Sequence, residues 1–381
     1  MQWMVPAERL GEEQVAILDS CLKHTGNNFV TGHAGTGKTV ILIHALREYL
    51  SRNPSASVCI VLYTHSLIEL VKTGIPEYLG NIPVMTYYQF LRKPSHYDLI
   101  LVDEVQDLKY EALSAIIQYS KKCIIAGDNN QSIYEGCVSP NEITKLVEPA
   151  VHRLEILYRM PQRIRDIALT ILPDAGLETG RIHRGKNVEV SLAKAGDEAT
   201  EANWVWKQAK KYAVQGEPSA ILFSHHNEVK QFIKSVCAVE GIEIPSFTLD
   251  RYRKNPDYNL VNEHLALYDI PLMYLGNQYG SLDTSDNEPM VYILTYYSAK
   301  GLDFNTIFLP FLSLHQTFAH GDSAMDRRVF FVGVTRSRSQ LFLSYSGSQP
   351  HPYVMAMPQN LLHKVECSFK EVRSSQNDFV F

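Results

Sequence analysis

An α/β fold with two doubly wound, mainly parallel sheets is predicted by three observations. Short apolar runs alternate with helical stretches along most of the 381 residues, the pattern of strands buried on both faces and joined by crossover helices. One such run, Phe29 and Val30, leads directly into the glycine-rich segment TGHAGTGKTV at 31–40. Another, LILV at 99–102, ends on the acidic pair Asp103 and Glu104. Both motifs stand where the C-terminal end of a parallel strand presents side chains to a ligand.

Taken in order, the first unit, residues 1–150, reads as strands at 29–31, 57–63, 99–102 and 123–126. Helices are expected after Lys38, at 66–78 and at 108–119. A second unit, 151–381, is expected to carry strands at 188–192, 219–223, 291–295, 306–309 and 340–344, with helices at 198–212 and 228–239. Within it, 250–288 is polar, rich in tyrosine and marked by Asn-Pro and Gly signals, and reads as a loop or small subdomain.

The glycine-rich segment contains the pattern G-x-x-x-x-G-K-T. Gly32, Gly35, Thr36 and Gly37 allow the chain to curl into a nest of backbone N–H groups around phosphates, and Lys38 reaches the β- and γ-phosphates. The Thr39 hydroxyl and the Asp103 carboxylate are the expected Mg²⁺ ligands, and Glu104 is placed to polarise an attacking water. This set predicts a nucleoside triphosphate site.

Gln106 and Asp107 extend the acidic pair to DEVQD, and at this point the chain resembles the UvrD/Rep type of superfamily 1 helicases. Further motifs follow in that family's order. LGEEQ at 10–14 resembles the Q motif, which implies that Gln14 reads adenine. AGDNNQSIY at 126–134 resembles motif III, with Gln131 as γ-phosphate sensor. LYRM at 157–160 resembles motif IV, giving Tyr158 to stack on the base and Arg159 to hold the terminal phosphate. LTYYSAKGLDF at 294–304 resembles motif V, with Gly301 and Asp303 near the nucleotide, and RRVFFVGVTRSR at 327–338 resembles motif VI, with Arg336 as arginine finger. The resemblance implies two RecA-like P-loop domains with ATP in the cleft between them, and ATP-driven movement along single-stranded DNA, 3′ to 5′, or unwinding of duplex. The family's strand-contacting positions fall on Thr64, His65, Thr86, Tyr88, Tyr134, Thr295 and Tyr297. Each of these tyrosines fits a base-stacking platform and a core position equally well.

The chain also departs from the family. Only 38 residues separate Thr64 from Val102, leaving no room for the first large accessory domain, and 250–288 is too short for the second. After Tyr134 the chain reads Glu135, Gly136, Cys137, where the family commonly has a strand-stacking tryptophan. These losses put strand separation in question more than ATP hydrolysis. They also keep a rival reading in view: a nucleotide-gated switch that regulates a protein partner such as a nuclease. RNA in place of DNA is a further alternative. The net charge of −5 disfavours a broadly basic nucleic-acid surface but allows a narrow track between domains. No apolar run of about 18 residues is present and the N-terminus has no signal-peptide pattern, so a cytoplasmic location without a membrane partner is expected. The six cysteines have no C-x-x-C pair and read as reduced core residues.

Overall fold

The computed structural model describes residues 3–182, 188–251, 255–282, 287–319 and 323–367. In the first lobe, α1 (Glu12–Lys23) precedes β1 (Asn28–Gly32), and α2 (Lys38–Arg52) follows the glycine-rich loop. Then come β2 (Val58–Leu62), α3 (His65–Gly74), β3 (Val84–Thr86), α4 (Tyr87–Arg92), β4 (Leu99–Val102), α5 (Tyr110–Gln118), β5 (Cys123–Gly127), α6 (Pro140–Val147) and β6 (Ala150–Leu154). The six strands form one parallel sheet in the order β3-β2-β4-β5-β1-β6. All residues of β2, β4 and β5 are buried, as apolar strands covered by helices on both faces must be.

A short strand pair, β7 (Ile156–Leu157) with β8 (Arg181–Ile182), flanks α7 (Gln162–Ile171). The second lobe then runs β9 (Val190–Ala195), α8 (Glu198–Tyr212), β10 (Ser219–Phe223), α9 (His226–Glu240), α10 (Tyr258–Leu267), β11 (Leu272–Tyr274), β12 (Val291–Thr295), β13 (Phe304–Leu309), α11 (Ser323–Val334), β14 (Ser337–Ser346), α12 (Pro352–Met355) and β15 (His363–Glu366). Its seven parallel strands are ordered β11-β12-β10-β13-β14-β9-β15. No helix among the described residues is long and apolar enough to cross a membrane.

Three expectations are corrected. The boundary at 150/151 falls inside β6, whose Val151 and His152 pair with Phe29 and Val30, so the first sheet extends to Leu154. The helix expected at 66–78 begins one residue earlier, where Thr64 Oγ1 caps the Leu67 amide. It ends at Gly74 because Pro76 disfavours helical geometry at Ile75. The segment 250–288, of which 252–254 and 283–286 lie outside the described residues, is neither a loop nor a separate subdomain. It supplies α10 and the edge strand β11 of the second sheet, anchored by the fully buried Tyr258 and Tyr274, whose rings stack 3.6 Å apart.

One buried carboxyl makes the second lobe's stability depend on pH. Glu201 on α8 accepts hydrogen bonds from the Phe311 amide and the Ser344 hydroxyl, both at 2.7 Å, and the first of these holds Phe311 at the unfavourable φ of 60°. Burial pushes its pKa from 4.5 to about 7 against those two bonds. The stabilisation that follows from a raised pKa is fully present below about pH 4.5 and is lost as pH rises through about 7, on the order of 3 kcal/mol in all. Glu201→Gln, which keeps an acceptor without the charge, should therefore gain stability relative to the parent as pH rises across that window. Melting temperatures of the two proteins that stay parallel from about pH 5 to 8 would contradict this.

Candidate active site and the adjoining cleft

The glycine-rich loop turns between β1 and α2, with Gly35 at φ 78° and Gly37, the N-cap of α2, at φ 91°. Neither position suits a side chain. A Cβ on Gly37 would sit 2.4 Å from Gln14 Nε2, and one on Gly32 would sit 2.8 Å from both Leu154 O and Thr36 Oγ1. Fully buried Thr36 donates to His33 O at 2.9 Å, and Gln14 Nε2 donates to Thr36 O at 3.0 Å. Lys38 folds its ammonium back onto Gly32 O and His33 O at 2.9 and 3.1 Å. The loop thus carries its own stand-in acceptors for the cation that would meet phosphate.

At the end of β4, Asp103 Oδ2 accepts from Thr39 Oγ1 at 2.5 Å and Oδ1 accepts from the Glu104 amide at 2.9 Å. Burial, then the neighbouring Glu104 charge, raise Asp103 to about 6. A hydroxyl and a carboxylate converging beside a phosphate cradle suit Mg²⁺, which is usually bound by few protein ligands together with phosphate oxygens. Burial opposes ionisation of Glu104 too, but the charges of Lys300, Lys38 and Arg336 outweigh it and hold its pKa below the ordinary value. The two adjacent carboxyls are therefore pushed in opposite directions by their surroundings. Glu104 sits at φ 53°, a strained position for a non-glycine residue, and Gln106 Nε2 donates to its Oε2 at 2.5 Å.

Two arginines face this arrangement on one second-lobe carboxylate: Arg336 comes from the second lobe, whereas Arg159 follows β7 and packs against Gly35 of the glycine-rich loop. Asp303 accepts from Arg159 Nη1 at 3.1 Å and stands 3.5 Å from Arg336 Nη1. Burial opposes its charge, yet Arg336 and Arg159 keep its pKa low. Arg336 Nη2 also donates to Gln131 Oε1 at 2.7 Å, and Gln131 Nε2 donates to Asp128 Oδ2 at 2.7 Å. Lys38, Thr39, Glu104, Gln131 and Arg159 from one side, and Gly301, Asp303 and Arg336 from the other, line a space of about 40 Å³. A triphosphate requires the lobes to part, with these groups already aimed at it. Gln14 and Tyr158 lie at the rim instead. Tyr158 N donates to Gly35 O at 3.0 Å, and its hydroxyl occupies the place of a Cβ on Gly11, beside Gln14.

Sequence reasoning assigned no role to Lys300, which the structure puts at the centre. Its ammonium bonds Asp107 Oδ1 at 2.6 Å and the Gln131 carbonyl, with both members of the ion pair only 1% exposed, and it stands 5.6 Å from the Tyr134 ring centroid. Burial raises Asp107 to about 7 although Lys300 pulls it down. A lysine followed by glycine within an otherwise uncharged stretch was the available signal.

Beyond Tyr134 lies a larger cleft of about 680 Å³ between the lobes. Thr64, His65, Thr86, Tyr88, Tyr134, Thr295 and Tyr297, drawn from four separate segments, all line it. The threonines act locally: Thr64 and Thr86 cap α3 and α4, and Thr295 Oγ1 accepts the Ser298 amide. The tyrosines form a row that includes Tyr63, which sequence reasoning passed over, and the buried Tyr87, which stands with Thr86 and Tyr88 at the family's T-F-H position but does not line the cleft. Centroid distances are 4.1 Å for Tyr88 to Tyr87, 5.3 Å for Tyr87 to Tyr63, 4.3 Å for Tyr63 to Tyr134 and 5.7 Å for Tyr134 to Tyr297. Among the described residues lining the cleft, Arg92 is the only lysine or arginine.

Fold and site together define a two-lobed P-loop nucleoside-triphosphate site to which the second lobe supplies Arg336. The AAA domain model matches residues 14–137, and the UvrD-like helicase C-terminal domain model matches residues 262–348. The two matches together indicate a UvrD-like superfamily 1 helicase, an ATP-hydrolysing class of enzyme. No curated protein matches it. Solved structures similar to it include the PRRSV helicase, at 13% identity and a TM-score of 0.44, with 90% of this chain and 56% of that one covered. Another is arterivirus nonstructural protein 10, a helicase in complex with DNA, at 14% identity and a TM-score of 0.41, covering 87% and 62%. The chain thus spans less than two thirds of the length of either.

Lys300→Met should destabilise the protein by about 3–5 kcal/mol, because it leaves the Asp107 carboxyl buried without its counter-charge. Adding Asp107→Leu should recover most of that loss. Urea titrations of the single and double variants test both statements, and a single variant within about 1 kcal/mol of the parent would show that the pair is dispensable.

Proposed function

We propose that the chain is an ATP- and Mg²⁺-dependent motor that moves along single-stranded DNA, in the 3′ to 5′ direction of the family it resembles. The observation that carries this reading is the convergence of all seven expected strand-contacting residues on one cleft, joined to the nucleotide cleft through Gln131, Lys300 and Tyr134. When phosphates enter the loop, Lys38 exchanges its two carbonyl acceptors for phosphate oxygens, and Arg159 beside the loop and Arg336 from the other lobe meet the terminal phosphate. Mg²⁺, held by Thr39 and Asp103, would neutralise charge on the bridging oxygens. Glu104, kept ionised by three surrounding cations, accepts a proton from the attacking water. Release of Arg336 from Gln131 changes the position of the segment whose carbonyl holds Lys300. Lobe movement thereby reaches the tyrosine row on which bases stack.

The second reading, a nucleotide-gated switch acting on a protein partner such as a nuclease, is favoured by Glu135, Gly136 and Cys137 standing in place of the tryptophan. The two readings differ in turnover. A motor's ATPase rate rises with strand length, whereas a switch gives a rate indifferent to it. Steady-state ATPase assays with single-stranded DNA and RNA of several lengths decide between them and name the track. Lys38→Ala should abolish turnover, and Arg336→Ala should leave nucleotide binding intact while hydrolysis falls by about 10³-fold. Normal hydrolysis by Arg336→Ala would remove it from the mechanism.

Since Arg92 is the only lysine or arginine among the described residues lining the cleft, strand binding should depend weakly on salt. The logarithm of affinity against the logarithm of salt concentration should slope about −1, not the −4 or steeper expected of a groove with about six phosphate contacts. Fluorescence anisotropy across a salt series measures that slope.

A further inference from the structure

The strand cleft has a feature that none of the family motifs supplies. Edge strand β11 runs parallel to β12, so its C-terminal end emerges beside Thr295 and Ser298, at the cleft. There Gly276, Asn277, Gln278 and Tyr279 form a tight turn, with hydrogen bonds in both directions between Gly276 and Tyr279 at 3.0 and 2.9 Å. Asn277 and Gln278 have φ of 51° and 74°, a left-handed pair in which neither residue is glycine. Such a pair persists only where its surroundings enforce it.

The frame that enforces it is visible. A Cβ on Gly276 would come 2.5 Å from Ser298 Oγ, and one on Gly280 would come 2.4 Å from Tyr274 O, so each end of the turn presses directly on its neighbours. Tyr274, beneath it, is fixed by both amide atoms of Asn262 at 2.8 and 3.0 Å, and Tyr279 OH donates to Asp250 at 2.8 Å. On this buried base the Asn277 and Gln278 side chains are exposed and line the cleft. Gln278 Nε2 reaches across to the opposite lobe and donates to His65 Nε2 at 2.6 Å, bridging the mouth of the cleft.

We propose that this turn is a latch that closes over single-stranded DNA. Gln278 and His65 join the lobes above the strand, and the side-chain amides at 277 and 278 hydrogen-bond the nucleotides held beneath. Uncharged amides suit a cleft whose described lining residues include one arginine and no lysine, since they bind polar nucleotide edges without relying on phosphate charge. The lobe shift that accompanies each nucleotide cycle would break and remake the bridge, so the latch limits strand escape more than strand entry. The proposal rests on the strand-binding reading above.

The test is stopped-flow dissociation and association of a fluorescent oligo(dT) on the full chain, comparing the parent with Gln278→Gly and Gln278→Asn. Both substitutes accept the left-handed backbone, but glycine removes the amide, and asparagine is one methylene too short to bridge. Both should dissociate about tenfold faster, the size of one lost hydrogen-bonded contact, with association changed far less. Strand binding by the parent with equal dissociation rates in all three proteins would overturn the latch and leave the motor reading standing. No strand binding by the parent would overturn both. Melting temperatures separate contact from folding: Gln278→Gly should not lie below the parent, and a lower value would make faster dissociation a folding effect and overturn the latch.

Discussion

The Lys300 ammonium is the interaction on which the two-lobed arrangement depends. It leaves the loop after β12 in the second lobe and ends between Asp107 and the Gln131 carbonyl in the first, excluded from water. A charge in that position is tolerable only if its partners stay in place, because an unpaired ion in the interior costs several kcal/mol. Relative movement of the lobes therefore has to carry Lys300, Asp107 and the Gln131 segment as a unit or exchange one partner for another. Gln131 is also the acceptor for Arg336. One short segment thus answers to a cation aimed at the nucleotide and to another that stands over the tyrosine row.

The same logic separates what could be read from the sequence from what could not. The glycine-rich loop, the LILV strand with its acidic end and the first-lobe strands were legible because each is specified by neighbours in the chain. The limits of α8 and of strands β4, β10 and β12 fell where they were expected, for the same reason. Family resemblance located the strand-contacting positions, and their meeting in one cleft follows from the topology that aims strand ends at the gap between the sheets. What failed was the assignment of 250–288. Polar and tyrosine-rich stretches look like surface, yet Tyr258 and Tyr274 are fully buried here, their rings stacked and the Tyr258 hydroxyl hydrogen-bonded to His226. Lys300 escaped notice because its role depends on a partner 193 positions away. No local pattern encodes that distance.

The charge objection to a nucleic-acid track has a structural answer. A chain of net charge −5 whose described cleft-lining residues include one arginine and no lysine has little electrostatic attraction to offer a strand. It has instead four tyrosines lining the cleft, Tyr88, Tyr63, Tyr134 and Tyr297, that cross from one lobe to the other. Stacking on such rings is indifferent to base identity and little affected by salt, which suits a moving contact that must release and rebind successive nucleotides.

Affinity built this way has a kinetic weakness. Without phosphate anchoring, a stacked strand can leave whenever the lobes part, and they must part for nucleotide to enter a space of only about 40 Å³. A motor with a neutral track therefore needs either accessory domains to surround its strand or a closure of its own. Residues 64–102 leave no room for the first such domain, and the segment that stands in place of the second is folded into the sheet as α10 and β11. The turn that follows β11 is where that segment meets the opposite lobe, through Gln278 and His65. Reduction of the accessory region and retention of a braced, strained turn at the cleft mouth are consistent with one another: a few residues held rigidly across the gap can do for residence time what a mobile domain does elsewhere.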